Sequence, residues 1–227
     1  MDKIFYDGWE LEYFDRAINF RNYQFDILKK YIKGIVAEVG PGNGSFLKYY
    51  LPLAEKIDLY EPSNNFIDNL NKIKNQKTSI INNNFTQKDN AYDTILYLDV
   101  LEHIENDENE LEIAFKSLKT GGALIVNVPA FQHLYSQFDK DIDHFRRYSK
   151  NDLKKLTNKF KFSKTKLIYY DSIGYFLSIG SKLITKNYLN NFEKKIKIWD
   201  TLMPISKIVD LIIFNLIGKS LIMICIK

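Results

Sequence analysis

The chain has 227 residues, 45% of them hydrophobic, a formal net charge of +4 and a single cysteine, Cys225. That length and apolar content suit one domain with a full core and exclude a disordered chain. A lone thiol within an apolar segment excludes a disulfide scaffold and a thiolate metal site. The first seven residues lack a signal-peptide core, so a cytoplasmic protein is expected.

In chain order, residues 8–33 set Trp9, Tyr13, Phe14, Ile18, Phe20 and Tyr23 among charges, a pattern for lid helices. The apolar run Ile35–Val39 carries Glu38 and breaks into Gly40-Pro41-Gly42-Asn43-Gly44, the hand-over from a buried parallel strand to a helix. Taken alone, such a loop is also how an ordinary tight turn looks. Its spacing is G-x-G-x-G, with Ser45 where a dinucleotide fingerprint has its third glycine. The carboxylate of Glu38 would repel a diphosphate and suits a cationic, hydroxyl-rich ligand. S-adenosylmethionine has that character: a sulfonium, an amino group and a ribose, with no phosphate.

A second strand, Lys56–Tyr60, closes on Glu61-Pro62. An acid there, 17 positions after Gly44, stands where a Rossmann-like unit holds ribose hydroxyls, roughly 20 residues beyond the glycine loop. A third strand, Ser79–Ile81, leads into Asn84 and Phe85, and a fourth, Tyr92–Leu98, into Asp99-Val100-Leu101-Glu102-His103. An acid-rich helix, a Gly121-Gly122 turn and a fifth strand, Ala123–Val128, follow, closed by Pro129. Strands alternating with helices imply a parallel sheet covered on both faces, with ligands beyond the strands' carboxyl ends. Glu38, Glu61, Asn84, Asp99 and Pro129 all fall at those ends.

These elements, in this order over about residues 30–130, resemble the class I S-adenosylmethionine-dependent methyltransferases. The resemblance rests on Glu38–Gly44, Leu59–Pro62, Tyr92–Ile95, Leu98–Ile104 and Leu118–Val126. It implies an α/β fold with a Rossmann-like, seven-stranded, mostly parallel sheet. Lys164–Tyr170 would be the sixth strand and Ser220–Ile226 the antiparallel seventh. It also implies that Gly40, Gly42 and Gly44 shape the loop under the methionine end, that Glu61 takes the ribose and that Asp99 lies near the amino group. Pro41, Phe85 and Val100 complete the expected cofactor contacts with Glu38 and Asn84. Asn84 stands where the family often has an aspartate for the adenine amino group, and it retains an acceptor oxygen.

A second cluster, Asp139-Lys-Asp141-Ile-Asp143-His144-Phe-Arg146-Arg147-Tyr148, follows the fifth strand. Related methyltransferases carry a similar His-x-Arg-Arg-Tyr stretch, which suggests acceptor contacts for Arg146, Arg147 and Tyr148. His144 is a candidate general base, oriented by Asp143 or Asp139, and Arg146 or Arg147 could clamp an anion. His103 is the competing candidate, although packing behind the site or a hydrogen bond at a helix start explains it as well. In some quinone O-methyltransferases a glutamate and histidine in this motif have been linked to a metal. One Glu-His pair is too little to predict one, so no metal is expected.

Charge is unevenly spread. Residues 1–144 carry 15 basic and 23 acidic residues, whereas residues 145–200 carry 14 and 4. A basic segment past the fifth strand is a solvated face, or it attracts an anionic acceptor or an anionic membrane surface. The insertion between strands six and seven, residues 171–219, contains two strongly apolar stretches. The longer, Ile208–Ile217, is interrupted by Asp210 and Asn215 and is too short to span a bilayer. It is a buried core helix or an interfacial one beside lysines that include Lys182, Lys186, Lys194, Lys195 and Lys197.

The chain is thus expected to be one domain: lid helices over residues 1–33, a cofactor core over 34–130, an acceptor side over 131–219 and a last strand over 220–227. The expected activity is methyl transfer from S-adenosylmethionine, at oxygen, to a small acceptor that is anionic or lipid- or sugar-linked. The alternative is a non-catalytic S-adenosylmethionine-binding module. No nucleic-acid module is recognisable, and a peripheral contact at the inner membrane surface is the second localisation considered.

Overall fold

The structure, a computed structural model, describes residues 6–184 and 189–227. Helices α1 (Leu11–Asp15) and α2 (Ile18–Leu28) precede strand β1 (Gly34–Val39), followed by α3 (Leu47–Tyr50), β2 (Ala54–Tyr60), α4 (Asn64–Ile73) and β3 (Thr78–Ile81). Then come β4 (Tyr92–Leu98), α5 (Asp107–Ser117), β5 (Leu118–Pro129), α6 (Gln137–Asp141) and α7 (Lys150–Thr157). The chain closes with β6 (Lys164–Tyr170), α8 (Ser172–Ile184), α9 (Phe192–Ile212) and β7 (Ser220–Ile226). Lys186 lies outside the described residues.

One seven-stranded sheet runs in the order β3-β2-β1-β4-β5-β7-β6. Strands β1 to β5 pair in parallel, and β7 runs antiparallel to both of its neighbours. The central strands are buried on both faces, which is why they read as apolar runs rather than alternating ones. Leu59, Leu96 and Ile125 face one layer of helices, and Ile95, Leu124 and Val126 face the other. The strand order reverses between β1 and β4, so their carboxyl ends open a crevice where a ligand can enter.

One local feature differs from the expectation. The segment after β4 does not start a long helix at His103. It makes a single 3-10 turn, Leu101–His103, and α5 begins at Asp107, where Asn106 Oδ1 accepts from the Asn109 N–H at 3.1 Å. In the insertion, α9 turns Trp199, Met203, Ser206 and Asp210 toward the core. Asp210, the polar interruption of the apolar run, pins α9 to its neighbours. Its carboxylate accepts from the Asp171 and Ser172 N–H groups (2.6 and 2.9 Å) and from the Tyr23 hydroxyl (2.9 Å). Among the described residues, no helix is long and apolar enough to cross a membrane.

Candidate active site

The crevice holds a cavity of about 760 Å³, roofed by α1, α2 and Trp199 of α9. Leu11, Phe14 and Asp15 of α1 and Phe20 and Arg21 of α2 line that side. One half of the cavity is built by the loop after β1. Gly40, Gly42 and Gly44 all have positive φ, between 52° and 70°, the left-handed region that glycine enters without cost. A Cβ on Gly40 would meet Val100 at 2.8 Å, and one on Gly44 would meet Ile73 at 2.4 Å, so the loop fits only without side chains there. Glu61 fixes its position. The buried carboxylate accepts from the Gly42 N–H (2.9 Å) and from the Ser63 N–H (2.8 Å). Burial nevertheless raises the Glu61 carboxyl above its ordinary range. Each oxygen keeps a further lone pair for a hydroxyl donor.

Across the crevice Asp99, with φ of 60°, turns its carboxylate into the cavity, where Asn127 Nδ2 donates to it at 2.7 Å. Arg21 of α2 stands 3.9 Å from it. Depth within the protein raises the Asp99 carboxyl, and Arg21 opposes that rise. Pro41, Asn84, Phe85 and Val100 also line this half. Gly44 shapes the loop from behind. Glu38 is not on the cavity wall: it is buried behind the loop, takes a 2.5 Å hydrogen bond from the Tyr50 hydroxyl and is pushed up to about 7 by burial.

The other half of the cavity is built by the turn after β4 and the loop after β5. Asp139 is the hub. Its wholly buried carboxylate accepts from His144 Nδ1 (3.0 Å), from Arg147 Nε and Nη2 (2.7 and 3.1 Å) and from the Ser136 N–H (2.8 Å). Burial alone would raise its carboxyl, but the His144 hydrogen bond and the Arg147 guanidinium hold it well below the ordinary range. If Nδ1 donates to Asp139, neutral imidazole leaves Nε2 of His144 as an acceptor. Asp143, the other orienting candidate, is exposed and makes no such bond.

His144 Nε2 stands 3.8 Å from Glu102, whose two oxygens are buried without a hydrogen-bond partner. Burial and then Asp99 push the Glu102 carboxyl well above its ordinary range. The His103 ring packs edge-on against His144, with centroids 4.6 Å apart, and burial lowers it to about 3, so it is neutral. Ligand atoms of Glu102, His103 and His144 all lie within 4.8 Å of one another, close enough to hold one divalent ion. This cluster joins residues 41 positions apart, which the Glu-His pair alone could not reveal.

Arg146 and Tyr148 do not face the cavity. Both bond Asp107, at 2.8 and 2.9 Å, and Arg146 also donates to the Glu105 carbonyl. Arg147 lines the cavity, but Asp139 neutralises its guanidinium. A further cation on this side is Lys219, whose ammonium stands 4.5 Å from the Trp199 ring centre and is lowered by burial. Lys219, Arg21 and Trp199, which line the cavity, escaped the sequence reading. For Lys219 a signal existed: an antiparallel last strand must begin at the edge where the parallel strands end.

A family model described as a methyltransferase domain matches residues 8–167. No curated protein matches the chain. Among solved structures, Haemonchus contortus phosphoethanolamine N-methyltransferase 2, in complex with S-adenosylmethionine, superposes with a TM-score of 0.64 at 14% identity. That alignment covers 97% of this chain and 58% of the nematode protein, so the chain spans little more than half of its length. An S-adenosylmethionine-dependent methyltransferase from Archaeoglobus fulgidus gives a TM-score of 0.61 at 16% identity, covering 96% of this chain and 98% of that one. A chain of the Haloferax volcanii complex between the Trm112 methyltransferase activator and a methyltransferase gives 0.64 at 13% identity, over 97% and 96%. The chain belongs to the methyltransferase-domain family, with the class I, S-adenosylmethionine-dependent fold that its sequence predicts.

Proposed function

We propose that S-adenosylmethionine lies along Gly40–Gly44 with its ribose on Glu61 and its amino group toward Asp99. The methyl would then pass to a hydroxyl oxygen of a small acceptor bearing an anionic group. The acceptor oxygen attacks the sulfonium methyl in line, its proton goes to His144 Nε2, and S-adenosylhomocysteine leaves. The methyl is already activated, so alignment and proton removal are what the protein has to supply. The observation that carries this reading is the Asp139–His144 bond, which frees Nε2 beside the cavity.

Lys219, on the cavity wall, supports an anionic acceptor. A similar structure was solved with phosphomonomethylethanolamine, a phosphate-bearing acceptor. The test is turnover of phosphorylated and unphosphorylated hydroxy compounds by wild type, His144→Ala and His103→Ala. His144→Ala should lose roughly 10²–10⁴-fold in kcat with S-adenosylmethionine affinity unchanged. A comparable loss at His103→Ala, with His144→Ala silent, would move the role to His103.

The unpartnered Glu102 carboxyl favours a second reading, in which Glu102, His103 and His144 hold a divalent cation and His144 is no longer the base. Thermal unfolding with magnesium, manganese or zinc separates the two. A rise in Tm abolished by Glu102→Gln supports the cation.

A further inference from the structure

Helix α9 turns one side to the core and carries a row of apolar residues on the opposite side. Trp199, Met203, Ser206 and Asp210 face the core. At 100° per residue, Ile198, Ile205, Ile208 and Ile212 fall on the far side, and all four are exposed, Ile208 at 60% and Ile212 at 68%. A second row of this kind has no role in holding the fold. It continues into the chain reversal after the helix, where Leu211, Phe214 and Leu216 are exposed, Phe214 at 83%.

That reversal is built to hold Phe214 out. Phe214 and Asn215 both have φ of 54°, a costly conformation for a bulky side chain. Three bonds maintain it: the Asn215 N–H to the Asp210 carbonyl (2.8 Å), Asn215 Nδ2 to the Tyr169 carbonyl (3.0 Å) and Lys150 Nζ to the Asn215 carbonyl (3.4 Å). The apolar corner does not end there. Tyr169 stacks on Phe131, Phe131 meets Tyr175, and Tyr175 meets Phe176, which is 59% exposed.

Charge identifies the occupant. Lys150 stands at the base of the reversal and exposed Lys154 lies one turn further along α7. Exposed Lys194 and Lys197 stand at the other end of the isoleucine row. Nearby acids are engaged: Asp152 caps α7 through Ser149, and Glu193 pairs with Arg16. A second copy of the chain would bring the same lysines and only acids that are already engaged, Asp152 and Glu193, whereas a leaflet of anionic lipid supplies unengaged opposite charge.

We infer that the outer face of α9 and the Phe214 reversal dock on an anionic lipid surface, with Phe214 inserted and the lysines against headgroups. This surface is separate from the cavity, and the inference does not rest on the methyl-transfer reading. The test is co-sedimentation of the full chain with vesicles of phosphatidylcholine alone and of phosphatidylcholine with phosphatidylglycerol, at low and high salt. Binding should require the anionic lipid and fade as salt screens it. Phe214→Ser should weaken it by about 10–100-fold, the scale of exposing one buried aromatic side chain. Lys150→Gln and Lys154→Gln should each cost about fivefold. Phe214 and Lys154 are exposed and Lys150 is half-buried, and unchanged S-adenosylhomocysteine binding would show that each variant folds. Equal binding to both vesicle types, no binding to either, or wild-type binding by Phe214→Ser would each overturn the inference. So would a concentration-dependent dimer that Phe214→Ser abolishes in a protein that ignores the vesicles.

Discussion

Replacing Glu61 separates a designed ligand clamp from an incidental loop acid. Its two oxygens serve two backbone donors, the Gly42 N–H at 2.9 Å and the Ser63 N–H at 2.8 Å, in a buried setting. Glu61→Ala strands both donors and removes the acceptors expected for the ribose. Glu61→Gln keeps the size but turns an amide NH2 toward one of those N–H groups, so one donor remains stranded against another. A buried donor left unpaired costs about 1–3 kcal/mol. Much of that loss should appear in cofactor affinity, because the glycine loop is what Glu61 positions. At about 1.4 kcal/mol per tenfold, the dissociation constant of S-adenosylhomocysteine should rise about 5- to 150-fold in either variant. For a chain of this length, 1 kcal/mol also shifts Tm by about 2–4 °C, so the unliganded variants should melt lower. Calorimetric titration beside thermal unfolding measures both. Glu61→Gln binding within twofold of wild type would refute the idea that the carboxylate clamps the loop.

Two further outcomes follow from the buried carboxyls. Burial raises Glu38 from 4.5 to about 7, so its contribution is complete below about pH 4.5 and is lost as pH rises through 7. Urea unfolding of Glu38→Gln, which keeps an acceptor for the Tyr50 hydroxyl, should therefore lose up to roughly 3 kcal/mol less between pH 4.5 and 8 than wild type. Identical pH profiles would contradict this. Asp139→Asn should reduce turnover at saturating substrate and alter its pH profile, because His144 then lacks a carboxylate on Nδ1. A fall in stability alone, with the pH profile intact, would leave Asp139 a purely structural anchor.

Much of the sheet was legible because parallel strands buried on both faces leave apolar runs that end in chemistry. Strand β4 begins and ends where its side chains predict, and β6 and β7 span the residues that the family resemblance implies. The grouping of Gly40, Gly42, Glu61, Asn84 and Asp99 along one side of the cavity was legible for a related reason: each lies at or just beyond the carboxyl end of a strand, so topology brings them together. The acceptor half was harder. Asp139, His144 and Arg147 are close in sequence, but only the fold shows that Arg147 serves Asp139 while Arg146 turns away to Asp107. Glu38 carries the right charge at the right strand, and the strand's alternation points it at Tyr50 behind the loop. Arg21 and Trp199 come from helices far apart in the chain that fold over the crevice, and no local motif marks them.

The central claim is that the crevice is built for S-adenosylmethionine. Titration calorimetry of the full chain with S-adenosylmethionine, S-adenosylhomocysteine and NAD tests it most directly. Micromolar binding of the first two, with NAD much weaker, is the predicted result. Tighter binding of NAD than of either would contradict the account.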